Sequence, residues 1–155
     1  MTNVITENET RQYIVVKIGG EQYGIDIRYV DNIVRMQKIT RVPKVQHYFK
    51  GVINLRGDVV PVMSIRTKMG LEPDEFTNAT RIIILKIEEQ GSLGIIIDEV
   101  KEVVTLNTEE IDKVATNSKL SYDEKANFIN GIGKHGEELI SLFDINCIIG
   151  EKEVL

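Results

Sequence analysis

The chain has 155 residues, enough for one domain or for two small halves around a shared core. A net charge of -5, with Lys and Arg scattered rather than clustered, argues against general affinity for nucleic acid or an anionic membrane. A single cysteine excludes an intramolecular disulfide framework, and 42% apolar with 28% charged residues is ordinary for a globular protein.

Residues 1–12 are polar, with neither a basic n-region nor an apolar h-region, and are expected to form a flexible tail. No apolar run approaches the ~18 residues of a membrane span, so a cytoplasmic location is expected. Tyr13 to Ile18 is a β-branched run, Gly19 to Gln22 a turn, and Tyr23 to Ile27 a returning strand, which together make a hairpin. Val30, Ile33 and Val34 recur at spacings of three and four, compatible with a helical turn or a bent strand. Ile39 to Val42 is read as a short strand stopped by Pro43, and Lys44 to Lys50 as a loop or helical turn.

The stretch Gly51-Val52-Ile53-Asn54-Leu55-Arg56-Gly57-Asp58-Val59-Val60-Pro61-Val62 is the most informative. Two apolar β-branched runs flank a polar turn, the pattern of a hairpin in which Gly57 takes a positive φ. Pro61 lacks an N–H, so its strand is expected to be an edge or an end at that point. From the turn alone, Arg56 is a solvated turn residue. Ser64 to Met69 has helical composition and stops at Gly70.

The chain then repeats itself. Gly24-Ile25-x-Ile27-x-x-Val30-x-x-Ile33-Val34 aligns without gaps on Gly94-Ile95-x-Ile97-x-x-Val100-x-x-Val103-Val104, an offset of 70 residues (24 to 94). The hairpin segment returns at an offset of 80 (51 to 131), where Gly51, Val59, Val60, Val62, Met63 and Ile65 face Gly131, Leu139, Ile140, Leu142, Phe143 and Ile145. The extra residues fall in the polar segment 107–125, where Ser121-Tyr122-Asp123-Glu124 fits a capping box. Short strands without intervening long helices argue against a βαβ sheet and predict two β-rich units, each closed into a small barrel. Ile82 to Leu85 and Ile95 to Ile97 are apolar at every position, as expected of strands buried on both faces where the units meet.

No catalytic constellation is visible. His47 and His135 are the only histidines, and neither pairs with Cys147 at metal-ligand spacing. Cys147 lies in an apolar stretch and is expected to be a buried, inert thiol. Gly131-Ile132-Gly133-Lys134-His135-Gly136 fits a dinucleotide fingerprint, but an apolar strand follows it instead of a helix, so the glycines are turn residues. No metal or cofactor is expected.

Several of these segments, in this order, resemble the CheW family, the coupling proteins of bacterial chemotaxis. They are Asn54-Leu55-Arg56-Gly57 with Val59-Val60-Pro61-Val62, Tyr23 to Ile27, Arg41-Val42-Pro43, Phe49 to Val52, Ser64-Ile65-Arg66, Gly94 to Asp98 and Phe128 to Gly133. The resemblance spans about residues 13 to 150. It implies a mainly β fold of two SH3-like, five-stranded barrel subdomains on a shared apolar interface, with a few short helices. The expected division is a tail (1–12), a first barrel (13–80), a second barrel (81–150) and a C-terminal tail (151–155), with exchange of the first strand between halves left open.

The resemblance further implies a non-catalytic adaptor that couples chemoreceptors to the histidine kinase CheA at the inner face of the membrane. Its expected partners are the receptor's cytoplasmic hairpin tip and the CheW-like regulatory domain of the kinase, the latter allowing closed rings. Val30, Ile33, Lys50, Gly51, Arg56, Val100 and Val103 are carried over as the receptor-facing set. By pattern alone the four aliphatic residues among them are core. Gly136, Glu138, Leu139 and Ile140 are the candidates for the kinase-facing set. The family often has an acid where this chain has Asn32, and the neighbouring Asp31 points elsewhere, so a charge pair with that acid is not implied here. The alternatives are a CheW-like scaffold of another two-component pathway and a small enzyme with a site between the barrels.

Overall fold

Runs of β-branched residues dictate a strand-dominated molecule. The computed structural model describes residues 9–87, 91–113 and 128–149. In chain order the strands are β1 (Thr10–Ile18), β2 (Glu21–Asp26), β3 (Val30–Arg35), β4 (Phe49–Leu55), β5 (Asp58–Ser64), β6 (Arg81–Ile87), β7 (Gly91–Ile97), β8 (Glu99–Asn107), β9 (Ile111–Lys113), β10 (Ile129–His135) and β11 (Glu138–Phe143). Single-turn helices α1 (Ile65–Lys68) and α2 (Ile145–Ile149) follow the two equivalent hairpins. Ser64 caps α1 by accepting from the Thr67 N–H at 3.1 Å.

The strands form two sheets, one ordered β8-β1-β2-β11-β10-β9 and the other β3-β6-β7-β5-β4. The repeat makes these orders equivalent: β6, β7, β8, β10 and β11 are the second copies of β1, β2, β3, β4 and β5. Each barrel has therefore taken the other copy's first hairpin. The β1–β2 hairpin pairs with β8 and β11, while β6–β7 pairs with β3 and β5. The extra strand β9 lies along β10 where, in the first copy, Thr40 makes a single bridge to Val52.

This exchange corrects the expected division of the chain at residue 80. The middle barrel is one continuous segment, β3 to β7, and the outer barrel joins β1–β2 to β8–β11. The chain crosses between them at Ile27–Tyr29, a single 3-10 turn, and again at Asp98. The expected tail also ends earlier than residue 12, because Thr10 to Gln12 pair with Thr105 to Asn107 of β8. That pairing is long-range, and nothing in the local composition marks it.

Strand alternation sorts the apolar residues into three clusters. Tyr13, Val15, Val104, Leu106, Ile140 and Leu142 fill the outer barrel. Ile53, Val60, Val62, Ile82, Ile84 and Ile96 fill the middle barrel. The alternate residues of the exchanged hairpins, among them Ile14, Val16, Ile25, Ile83, Leu85 and Ile95, build one cluster between the barrels, capped by Met63, Ile65, Phe143 and Ile148. The runs Ile82 to Leu85 and Ile95 to Ile97 are thus buried on both faces, as expected.

Val30 to Val34 is a bulged strand rather than a helical turn, with Asp31 as the extra residue. Ile39 to Val42 is reduced to the single Thr40 bridge. Pro61 sits opposite Val52 of β4, and parallel pairing of β5 with β7 begins only at Val62, just past the missing donor. The capping box at Ser121 lies outside the described residues.

Candidate docking surface

The bulge in β3 has a counterpart in β8, where the register shifts around Lys101. Each bulge flips the alternation, so two apolar residues three apart face the same side. Val30 stands opposite Leu85 and Ile33 opposite Ile83, while Val100 stands opposite Val16 and Val103 opposite Ile14. All four cross-strand partners belong to the cluster between the barrels. Val30 and Val100 are half-buried against that cluster, whereas Ile33 is 36% and Val103 50% exposed. The inter-barrel core therefore surfaces as two equivalent apolar pairs, one on each barrel. Contrary to the reading from pattern alone, the four aliphatic residues are not all core: two are half-buried and two are exposed.

The remaining candidates lie elsewhere on the hairpins. Leu55 pairs with Asp58, leaving Arg56 and Gly57 as a two-residue loop with φ of 55° and 87°. Two positive φ angles match the twist of the strands they join. Asn54 steadies the loop by accepting from the Gly57 N–H at 3.1 Å. Arg56 is exposed and makes no ion pair with the described residues. Asn32, where the family often has an acid, accepts from the Ile33 N–H at 2.8 Å.

Lys50 is half-buried at the far end of β4, and Gly51 is buried. A side chain at Gly51, whose φ is 140°, would put its Cβ 2.1 Å from the Thr40 carbonyl oxygen, so this glycine is required by the Thr40–Val52 bridge. In hydrogen-bonding order three strands separate β4 from β3.

Of the residues expected to face the kinase, Gly136 lies in the β10–β11 turn and Leu139 is 63% exposed. Exposed Glu138 accepts from Gln22 Nε2 at 3.0 Å, and that bond with nearby Lys101 holds its carboxyl below the usual range. Ile140 is corrected: it is 1% exposed and points into the outer barrel, because alternation along β11 sends Leu139 out and Ile140 in. The position equivalent to Leu139 is Val59, 69% exposed, which the candidate set omitted. The 80-residue offset already paired the two.

An ion pair sits at each crossover. Asp26, 7% exposed, accepts from the Arg28 N–H at 2.9 Å and from its Nη2 at 2.8 Å. Burial pushes its carboxyl up, but the bonds from Arg28 outweigh this and leave it below the ordinary range. Asp98 accepts from Arg66 Nε at 2.9 Å, from Arg66 Nη2 at 2.6 Å and from the Gly19 N–H at 3.0 Å. The Arg66 guanidinium holds that carboxyl low against the opposing effect of burial. Both pairs went unnoticed in the sequence because each partner alone is an ordinary charged residue.

A polar cleft of about 740 Å³ opens beside the first crossover, with Arg11, Tyr13, Asp26, Arg28, Lys113 and Asp144 in its wall. Burial pushes the Tyr13 hydroxyl up, and Asp26 is spent on Arg28. Among the described residues no group of three or more His, Cys, Asp or Glu side chains is placed to hold a metal. Cys147 is half-buried in α2, less enclosed than expected. No helix among the described residues is long and apolar enough to cross a membrane.

Fold and surface together define a tandem double barrel, hairpin-exchanged, whose shared core emerges as matched apolar pairs. The CheW-like domain profile matches residues 12–153, nearly the full length, and the chain belongs to that family. It is 35% identical over 139 residues to the chemotaxis protein CheW of Bacillus subtilis, covering 90% of this chain and 86% of the relative. With CheW of Helicobacter pylori it shares 33% identity, covering 91% and 82%. The crystal structure of the scaffolding protein TtCheW from Thermoanaerobacter tengcongensis superposes with a TM-score of 0.77 at 27% identity, covering 88% of this chain and 90% of that one. The two SH3-like subdomains implied by the resemblance are the two barrels described above.

Proposed function

We propose that the protein is a non-catalytic chemotaxis adaptor, joining the cytoplasmic tip of a chemoreceptor to the CheA kinase. The observation that carries the reading is the placement of Ile33 and Val103. Each is exposed beside a buried residue of the shared core, at equivalent points of the two barrels. With Val30 and Val100 they form an apolar lining suited to one face of a helical hairpin. Arg56, on its rigid turn and without an ion pair among the described residues, supplies a cation to the same partner, with Lys50 a second basic contact. Gly51 acts by shaping β4. Family membership supports the role, as does the description of relatives as chemotaxis and scaffolding proteins.

The second partner is the kinase's own CheW-like regulatory domain, met through the exposed tip of β10–β11 at Gly136, Glu138 and Leu139. Barrel-to-barrel contacts of this kind close into rings with the kinase under the receptor array at the inner membrane face.

The test is binding of a soluble receptor hairpin fragment to the wild-type protein and to Ile33→Asp and Val103→Asp. Both substitutions add charge at exposed positions, so folding should survive while affinity falls at least about tenfold. Wild-type affinity in both folded variants would show that the two apolar pairs do not hold the receptor.

A further inference from the structure

The two barrels are linked by covalent crossovers, by the shared core and by a polar clamp that, among the described residues, has no counterpart in the other repeat. Asp98 is the single residue between β7 of the middle barrel and β8 of the outer barrel. Its carboxylate receives two bonds from Arg66 on α1 of the middle barrel and one from Gly19, in the β1–β2 turn of the outer barrel. Arg66 also donates to the Glu72 carbonyl at 3.0 Å, tying in the segment that leaves α1. Four chain segments from both barrels thus converge on one ion pair. The Arg66 side chain is 17% exposed and Asp98 32%. In the second repeat Arg66 is replaced by Asn146, and Asp98 corresponds to Arg28, which pairs locally with Asp26.

We infer that Asp98 and Arg66 are positioning residues for the two apolar pairs, holding β8 against the middle barrel so that Val100 and Val103 keep a fixed spacing from Val30 and Ile33. The inference rests on the adaptor reading for its consequence. Asp98 lies two residues before Val100, on the backbone that enters the bulge. A bidentate guanidinium–carboxylate pair fixes orientation as well as distance. A helical partner spanning both apolar pairs needs that orientation set in advance, because any hinge freedom must be lost on binding.

The experiment uses the full chain in a Cys147→Ser background, with spin labels at Thr105→Cys on the outer barrel and Lys86→Cys on the middle one. In the parent the inter-label distance distribution should be narrow. Asp98→Asn and, separately, Arg66→Gln should broaden it while the protein remains folded by circular dichroism. Receptor-fragment affinity should fall about tenfold, the size of a typical coupling between sites, while affinity for the kinase regulatory domain is unchanged. An unbroadened distribution in both folded variants overturns the inference. So does an equal loss of both affinities, the mark of a merely structural role. Failure of the unsubstituted protein to bind the fragment at all would instead defeat the adaptor reading.

Discussion

Arg56 shows how a single residue can be strained and exposed at once. A non-glycine residue at φ 55° costs roughly 1–2 kcal/mol in the left-handed region, and no described ion pair offsets that. Arg56→Gly therefore removes the side chain and the strain together, against about 0.4–1 kcal/mol of added unfolded-state entropy. Its melting temperature is expected to stay within a few degrees of wild type or rise, while receptor affinity falls. A marked drop in stability by calorimetry would make Arg56 structural. Gly51 is the opposite case. Its replacement by Ala would force a Cβ onto the Thr40 carbonyl and is expected to cost at least about 2 kcal/mol in denaturant titration. The turn at Arg56 was legible in the sequence, since Asn and Gly around it announce a hairpin. The need for Gly51 was not, because Thr40 reaches it from eleven residues upstream.

At the scale of elements, the bulges and crossovers decide what is presented. A one-residue bulge brings Val30 and Ile33 to one face, and spacing alone could not separate that arrangement from a helical turn. The crossovers add a pH dependence. Asp26 and Asp98 both have folded-state values below their unfolded ones. Their pairs thus contribute stability above the unfolded carboxylate range, and that contribution is lost as pH falls through the lower folded values. Denaturation midpoints are expected to be flat near neutrality and to decline on acidification. Asp98→Asn should shallow the decline, and an unchanged acid limb in that variant would mean the carboxylate is not held low. Because Asp98 is one-third exposed, solvent screening keeps this effect modest.

Over the whole molecule, the exchanged hairpins give the two barrels a shared core. The repeat revealed two similar units and their apolar interface, because periodicity is local information. The exchange was hidden, since both copies carry the same strand pattern and either pairing satisfies it. Only the three-dimensional register shows that β1 runs along β8 and β6 along β3. Ile83, with no exposed surface, belongs to the cluster between the barrels. Ile83→Ala is expected to cost about 2–5 kcal/mol and to lower both barrels together in one transition. Two separated transitions, followed by probes on each barrel, would show barrels that melt independently.

The most direct measurement is kinase autophosphorylation in a reconstituted mixture of receptor membranes and CheA, with and without this protein. A large rise is expected on its addition, suppressed by attractant, as a ligand-linked coupling requires. No change, with receptor and kinase each shown competent, would contradict the coupling role while leaving the double barrel and its family untouched.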